Sequence, residues 1–221
     1  MAQQPLTRER IIAAAVAMAD AEGLDAITMR RLGGALEREA MSLYHHIPSK
    51  EALLGALVDT VLEELAQHSA AIDYDDWRVT VRARCLAARE LMLRHPWAPG
   101  QIAAQHESPP AAWPIYEMLI GTLTDGGFDD ELCHRAIHAL GSMLLGFTNE
   151  LFEPAPSHDP DVGFRGPAAG QMPNLSRMAG SVVHEAEGSL SVCDTQAEFE
   201  FTLGLLLDGL EHARVRATGM G

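Results

Sequence analysis

The sequence predicts an all-α protein: a small N-terminal unit of three short helices set on a larger helical bundle. Three observations predict it. Apolar residues recur at helical spacing almost throughout, and no stretch alternates convincingly as a strand would. Residues that start and stop helices stand at the ends of the periodic segments. The chain has 221 residues, 47% apolar and 21% charged, an ordinary globular composition with length enough for one or two domains and a buried core. No run of 18 apolar residues occurs, so no membrane-spanning helix is expected, and the N-terminus carries no apolar signal segment. Cys85, Cys133 and Cys193 are far apart and odd in number, which fits a reducing cytoplasm and not a disulfide framework or a four-thiolate metal site.

The first helix, over residues 7–22, places Ile11, Ala15 and Ala19 on one face, with Ile12 and Val16 beside them and Gly23 as its C-terminal cap. Thr28 caps a second, short helix that ends near Leu36. Ile27 and Leu32 flank its start at the spacing of a hydrophobic staple. A third short helix covers Glu39 to His46 and stops before Pro48. Ser49 starts a long fourth helix striped with Leu53, Leu54, Leu57, Val58, Val61, Leu62 and Leu65. After Asp73 to Asp76, Trp77 opens a fifth helix that runs to His95, where Pro96 ends it. Residues 99–110 are broken ground with room for one short helix. Trp113 to Thr124 is helical and closes at Gly126-Gly127, and Asp129 to Glu150 is long and strongly apolar. Residues 153–181, rich in Pro, Gly and Ser, read as a loop and the start of a weak helix. Thr195 and Glu198 form a capping box for the last helix, which carries Phe199, Leu203, Leu206, Leu207 and Leu210.

Charge narrows the function. The formal net charge is −15, yet residues 1–50 hold six basic and six acidic groups, so the whole excess lies in residues 51–221. A strongly acidic surface repels polyphosphates. Any nucleic acid must therefore meet the neutral head. The pair Thr28–Leu36 and Glu39–His46, joined by a brief turn, reads as a helix-turn-helix, whose second helix enters the major groove while the first braces on the backbone.

The run Ser42-Leu43-Tyr44-His45-His46-Ile47-Pro48-Ser49-Lys50-Glu51-Ala52-Leu53 resembles the signature of the TetR family of bacterial transcriptional regulators. Ile27-Thr28-Met29-Arg30-Arg31-Leu32 is similar to the entry of that family's second helix. Weaker resemblance extends through Asp76-Trp77-Arg78, Leu93-Arg94-His95-Pro96-Trp97 and Leu203 to Glu211, which look like the ligand-binding domain of the tetracycline-repressor branch. The resemblance implies a helix-turn-helix DNA-binding domain at 1–50 and a ligand-binding and dimerisation domain at 51–221. It also implies partners: a double-stranded DNA operator, a small-molecule effector and a second copy of the chain. Neither a cofactor nor a membrane is expected.

Each DNA-facing candidate has a physical reason and a plainer alternative. Thr28 lies at a helix N-terminus, where free N–H groups and the dipole favour an anion, although it can also be a cap alone. Lys50 opposes the macrodipole in the first turn of helix four, which points to an outside anion; a solvated lysine is the alternative. Tyr44 can aim its hydroxyl at the backbone or serve only the core. Arg30 is a phosphate partner one turn from the same helix end. Of His45 and His46, one is expected to face DNA and one the core, with His45 the outward one. Arg38, Glu39, Ala40 and Met41 would start the recognition helix; Ala40 suits a thymine methyl and Glu39 a cytosine N4. Glu37 and Arg38 depart from the family, which usually has glycine and an apolar residue there. Glycine would supply a positive-φ turn, so Glu37 is expected to be strained or the turn to differ. Gly33-Gly34 replaces the family's usual alanine, and close helix packing is the expected reason.

The resemblance places effectors between helices five and eight. Candidates are His95, Trp97, His106, Trp113, Tyr116, Met118, Met143 and Phe147, side chains that suit an apolar pocket and equally any core. It also implies that helix 129–150 and the last helix pair with their copies as a four-helix bundle, although amphipathic spacing alone fits an internal core nearly as well. His134 and His138, with Glu131 one turn earlier, have ligand spacing, but no HExxH pattern is present and no metal is expected. The leading reading is a homodimeric repressor released from a palindromic operator by an effector. A family member that has lost DNA binding and acts as a ligand-binding protein is the second, favoured by Glu37 and Glu39. A small all-helical enzyme is the third. It lacks a phosphate loop, a nucleophile elbow and a strong metal cluster, so the chain reads as non-enzymatic.

Overall fold

The computed structural model describes residues 5–147, 171–181 and 195–219, which are mainly helical with no strand among them. Ten α-helices are defined there: α1 (Arg8–Glu22), α2 (Met29–Ala35), α3 (Ala40–Tyr44), α4 (Lys50–Ala70), α5 (Trp77–Arg94), α6 (Ala98–Ala103), α7 (Trp113–Asp125), α8 (Asp130–Gly146), α9 (Pro173–Ser181) and α10 (Thr195–Thr218). Short 3₁₀ turns at Leu24–Ala26 and Pro110–Ala112 link neighbours. None of the described helices is long and apolar enough to cross a membrane.

The caps predicted at Gly23 and Thr28 form, and further side-chain caps stand beside them. Thr7, Thr28, Ser49, Asp76 and Asp129 each accept backbone N–H groups in the first turn of α1, α2, α4, α5 and α8. Gly23 closes α1 at φ 79°, its N–H donating to the Ala19 carbonyl. One helix boundary differs from expectation, and the broken ground holds the short helix it had room for. The third helix is only Ala40–Tyr44, because the N–H groups of His46 and Ile47 both turn back to the Leu43 carbonyl and close the helix before Pro48. The broken ground after Pro96 contains α6, with Pro99 in its first turn, where a missing N–H leaves no bond unmade. Within the described residues α8 ends at Gly146; Thr148 to Glu150, most of the predicted 153–181 loop and the side chain of Thr195 lie outside them.

The chain divides into two compact units, residues 1–148 with 210–221, and residues 149–209. In the first, one apolar cluster runs from the head into the body. Ile11, Ala15 and Ala19 of α1, Leu32 of α2 and Leu43 of α3 join Leu53, Leu57 and Val61 of α4, then Leu91, Met92, Trp97 and Ala98. The head thus has no core of its own; α4 is its floor and the body's wall. Burying such side chains contributes roughly 1.5–3 kcal/mol each, which is what holds helices as short as α2 and α3 in place. In the second unit, Phe199, Leu203 and Leu207 of α10 are buried, while Phe201 and Leu205 are exposed.

Candidate nucleic-acid interface

The geometry of the head begins with two glycines and a glutamate. Gly33 is buried, and a Cβ there would lie 2.7 Å from the Arg38 carbonyl oxygen and 3.1 Å from the Ala40 nitrogen. The expected reason for Gly33 holds: α2 meets the start of α3 backbone to backbone. Gly34 has open space around it, so packing does not account for it. The turn closes by Arg38 N–H donating to Gly33 O at 2.8 Å and Glu37 N–H to Gly34 O at 3.2 Å. Glu37 stands at φ 55°. The sequence expectation of strain is met: a left-handed turn is made with a residue that disfavours it by about 1–2 kcal/mol.

That turn aims α3. Leu43 points inward and is fully buried, which leaves Met41, Tyr44 and His45 on the outer side. Met41 is 70% exposed. His46 is exposed too, so the expectation that one of the two histidines faces the core is corrected: Leu43 and Ile47 fill the inward positions of this short turn and neither imidazole is needed there.

A cleft of about 380 Å³ opens between α2, α3 and α4, lined by Ile27, Thr28, Met29, Arg30, Ala40, Tyr44, Lys50 and Leu53. Five of the nine DNA-facing candidates (Thr28, Arg30, Ala40, Tyr44 and Lys50) therefore share one surface. The Thr28 hydroxyl oxygen accepts from Arg31 N–H at 3.1 Å, so it caps α2 and keeps its own proton to donate. Arg30 and Arg31 part company. Arg31 Nη2 donates to both carboxylate oxygens of Glu22 at 2.8 Å, while Arg30 is exposed on the cleft and has no partner among the described residues. Lys50 is likewise exposed and unpaired there. Its neighbour Glu51 behaves oppositely: backbone N–H donation and the Ser49 hydroxyl hold its carboxyl below the usual range, as suits an anion at a helix start. Arg38 donates to the Glu37 carbonyl, and Glu39 precedes α3, its carbonyl accepting the Ser42 hydroxyl at 2.7 Å. With Met41 and His45, these two lie outside the cleft lining.

Behind the head, His95 and Trp97 are each 8% exposed. Both donate to a single oxygen of Asp20 in α1: His95 Nδ1 at 2.8 Å and Trp97 Nε1 at 2.6 Å. His95 Nδ1 and Trp97 Nε1 are thus committed to a contact with the head. Sequence reasoning missed Asp20, because 75 residues separate it from His95 and no local pattern marks it. It also missed Arg84, which donates to the carbonyls of Ser69, Ile72 and Met118 and to the Thr122 hydroxyl. The other effector candidates vary. Met143 is buried, Met118 and Phe147 are half-buried, and His106, Trp113 and Tyr116 are exposed. His134 and His138 stack edge to face on exposed positions of α8, 4.6 Å between centroids. Among the described residues no group of three metal-ligating side chains gathers.

Comparison with known proteins agrees with this geometry. Residues 11–57 match the family model "Bacterial regulatory proteins, tetR family", and residues 71–214 match "Tetracyclin repressor-like, C-terminal domain". The chain is 28% identical over 210 residues to the HTH-type transcriptional repressor DrrR1 of Streptomyces coeruleorubidus, covering 93% of this chain and 77% of that one. It is 28% identical to the class C tetracycline repressor protein of Escherichia coli, over 95% of this chain and 93% of that one. Among solved structures, the Streptomyces coelicolor TetR family protein ActR in complex with (S)-DNPA superposes with a TM-score of 0.73 at 26% identity, covering 96% of this chain and all of that one.

Proposed function

The chain belongs to the TetR family of bacterial regulatory proteins, and we propose that it works as a homodimeric repressor released from a palindromic operator by a small-molecule effector. It is a ligand-responsive, DNA-binding transcriptional regulator. One observation supports the finer reading above all: Thr28, Arg30, Ala40, Tyr44 and Lys50 converge on one exposed cleft. In this reading residues 1–50 read the duplex and residues 51–221 bind the effector and the second copy. Thr28, Arg30, Tyr44 and Lys50 hold phosphates, and Arg38, Glu39, Ala40, Met41 and His45 face base edges in the major groove.

A head this small makes few contacts. Two heads on one dimer reach half-sites about 34–36 Å apart, or a multiple, and so gain both affinity and symmetry. The dimer forms through α8 and α10. The effector lies among His106, Trp113, Tyr116, Met118, Met143 and Phe147 between α5 and α8, and it releases DNA only if it binds one head spacing better than the other. ActR is a member solved with a bound small molecule, (S)-DNPA. The protein is cytoplasmic in this reading and has no catalytic role.

Selection of bound sequences from a random DNA pool tests the proposal. A palindrome with half-sites one or two helical turns apart is the expected product. No enrichment over many rounds would overturn it in favour of a member that binds ligand alone, the reading that Glu37 and Glu39 beside the groove-facing helix would then explain.

A further inference from the structure

The contact between the head and the α5–α6 corner is unlike the apolar packing around it. Ile12, Ala15 and Ala19 of α1 share a cluster with Leu91, Met92, Trp97 and Ala98. Such contacts are non-directional and resist sliding weakly. Into this surface Asp20 sets a carboxylate whose Oδ1 accepts two N–H groups, from His95 at 2.8 Å and Trp97 at 2.6 Å. His95 caps the end of α5 and Trp97 precedes α6, so one oxygen ties the inner end of α1 to the corner between two body helices. The charged groups facing the His95 ring come from three sides: Asp20 on α1, Glu64 on α4 with its Oε2 3.8 Å from Nε2, and the neighbouring Arg94, which is paired with Glu64 at 2.8 Å. A partly buried carboxylate costs free energy unless its bonds are met, and here they are met by donors of fixed direction.

We propose that Asp20, through His95 and Trp97, is a positioning residue for DNA reading: it fixes the register of α1, and with it the α2–α3 unit, against the α5–α6 corner. α6 in turn packs on α4 and α8. Without the hook that Asp20 forms the head samples several registers, and ordering them is charged against binding. The phosphate contacts themselves are unaltered.

The inference rests on the head being the DNA-reading unit, so the experiment first uses the duplex selected by the wild-type protein. Failure of the wild type to select any duplex counts against the proposed function and not against the hook. With a duplex in hand, full-length Asp20→Ala is titrated against it at several salt concentrations. The expected result is about tenfold weaker binding with the wild-type salt slope, the loss that two charge-assisted hydrogen bonds support. Asp20→Asn, which keeps an acceptor oxygen for both donors, restores affinity to within about threefold of wild type. Trp97→Phe removes one donor, keeps the buried ring and gives an intermediate loss. It carries the test if circular dichroism shows that Asp20→Ala has lost its helices. Wild-type affinity in Asp20→Ala or Trp97→Phe, equal loss in Asp20→Asn and Asp20→Ala, or a flattened salt slope would each overturn the proposal.

Discussion

Lys50 and Glu51 stand side by side at the start of α4 and answer its dipole in opposite ways. Glu51 is held ionised by backbone and Ser49 donors, whereas Lys50 adds a positive charge where the helix already presents one. In the proposed reading an external phosphate would resolve the conflict, and Thr28, Arg30 and Tyr44 line the same cleft as Lys50. Tyr44→Ala should weaken operator binding about tenfold in gel-shift titrations while leaving the unfolding midpoint nearly unchanged, since its ring is 42% exposed. Glu37 gives a prediction of opposite sign. Glu37→Gly removes the φ 55° strain and should stabilise the protein by roughly 0.5–1 kcal/mol in denaturant unfolding, after the flexibility of glycine is discounted. It should also strengthen DNA binding, because one carboxylate leaves the neighbourhood of the phosphates. The strain at Glu37 was legible through the family resemblance, which places glycine there, and φ 55° bears it out. The outward turn of His46 was not, because a five-residue helix has too little periodicity to assign each side chain to a face.

At the scale of helices, what the sequence revealed and what it hid follow range of interaction. Caps act over three or four residues, so Thr28 and the helix start at Ser49 could be read directly and their bonds are present. The short helix for which the broken ground had room is α6, with Pro99 in its first turn, where proline is suited. Corners depend on distant partners and stayed hidden. Arg84 on α5 joins the end of α4, the loop after it and α7 by bonding Ser69 O, Ile72 O, Met118 O and Thr122 Oγ1. Arg84→Met keeps most of the stem's packing and strands these acceptors. It should cost about 2 kcal/mol in urea unfolding with an unchanged denaturant slope; a change within experimental error would show that water serves those carbonyls equally well.

The molecule as a whole carries −15, all of it outside the first 50 residues. A duplex approaching anywhere but the head meets repulsion, so the electrostatics orient the protein as well as weaken it. The continuous core from α1 through α4 to α6 makes that head an extension of the body, and Asp20 marks where the two are joined. Amphipathic spacing announced the helices of this core, and the charge split is the reason the head is proposed to meet DNA; the joint between head and body depends on residues 75 positions apart and needed the folded chain. The central claim is that the cleft of Thr28, Tyr44 and Lys50 grips phosphate. Its most direct test is the salt dependence of operator affinity in wild type and Lys50→Ala. The account predicts a steep wild-type slope of log affinity on log salt, made shallower by about one in the variant at every operator sequence. Superimposable slopes for the two proteins would contradict it.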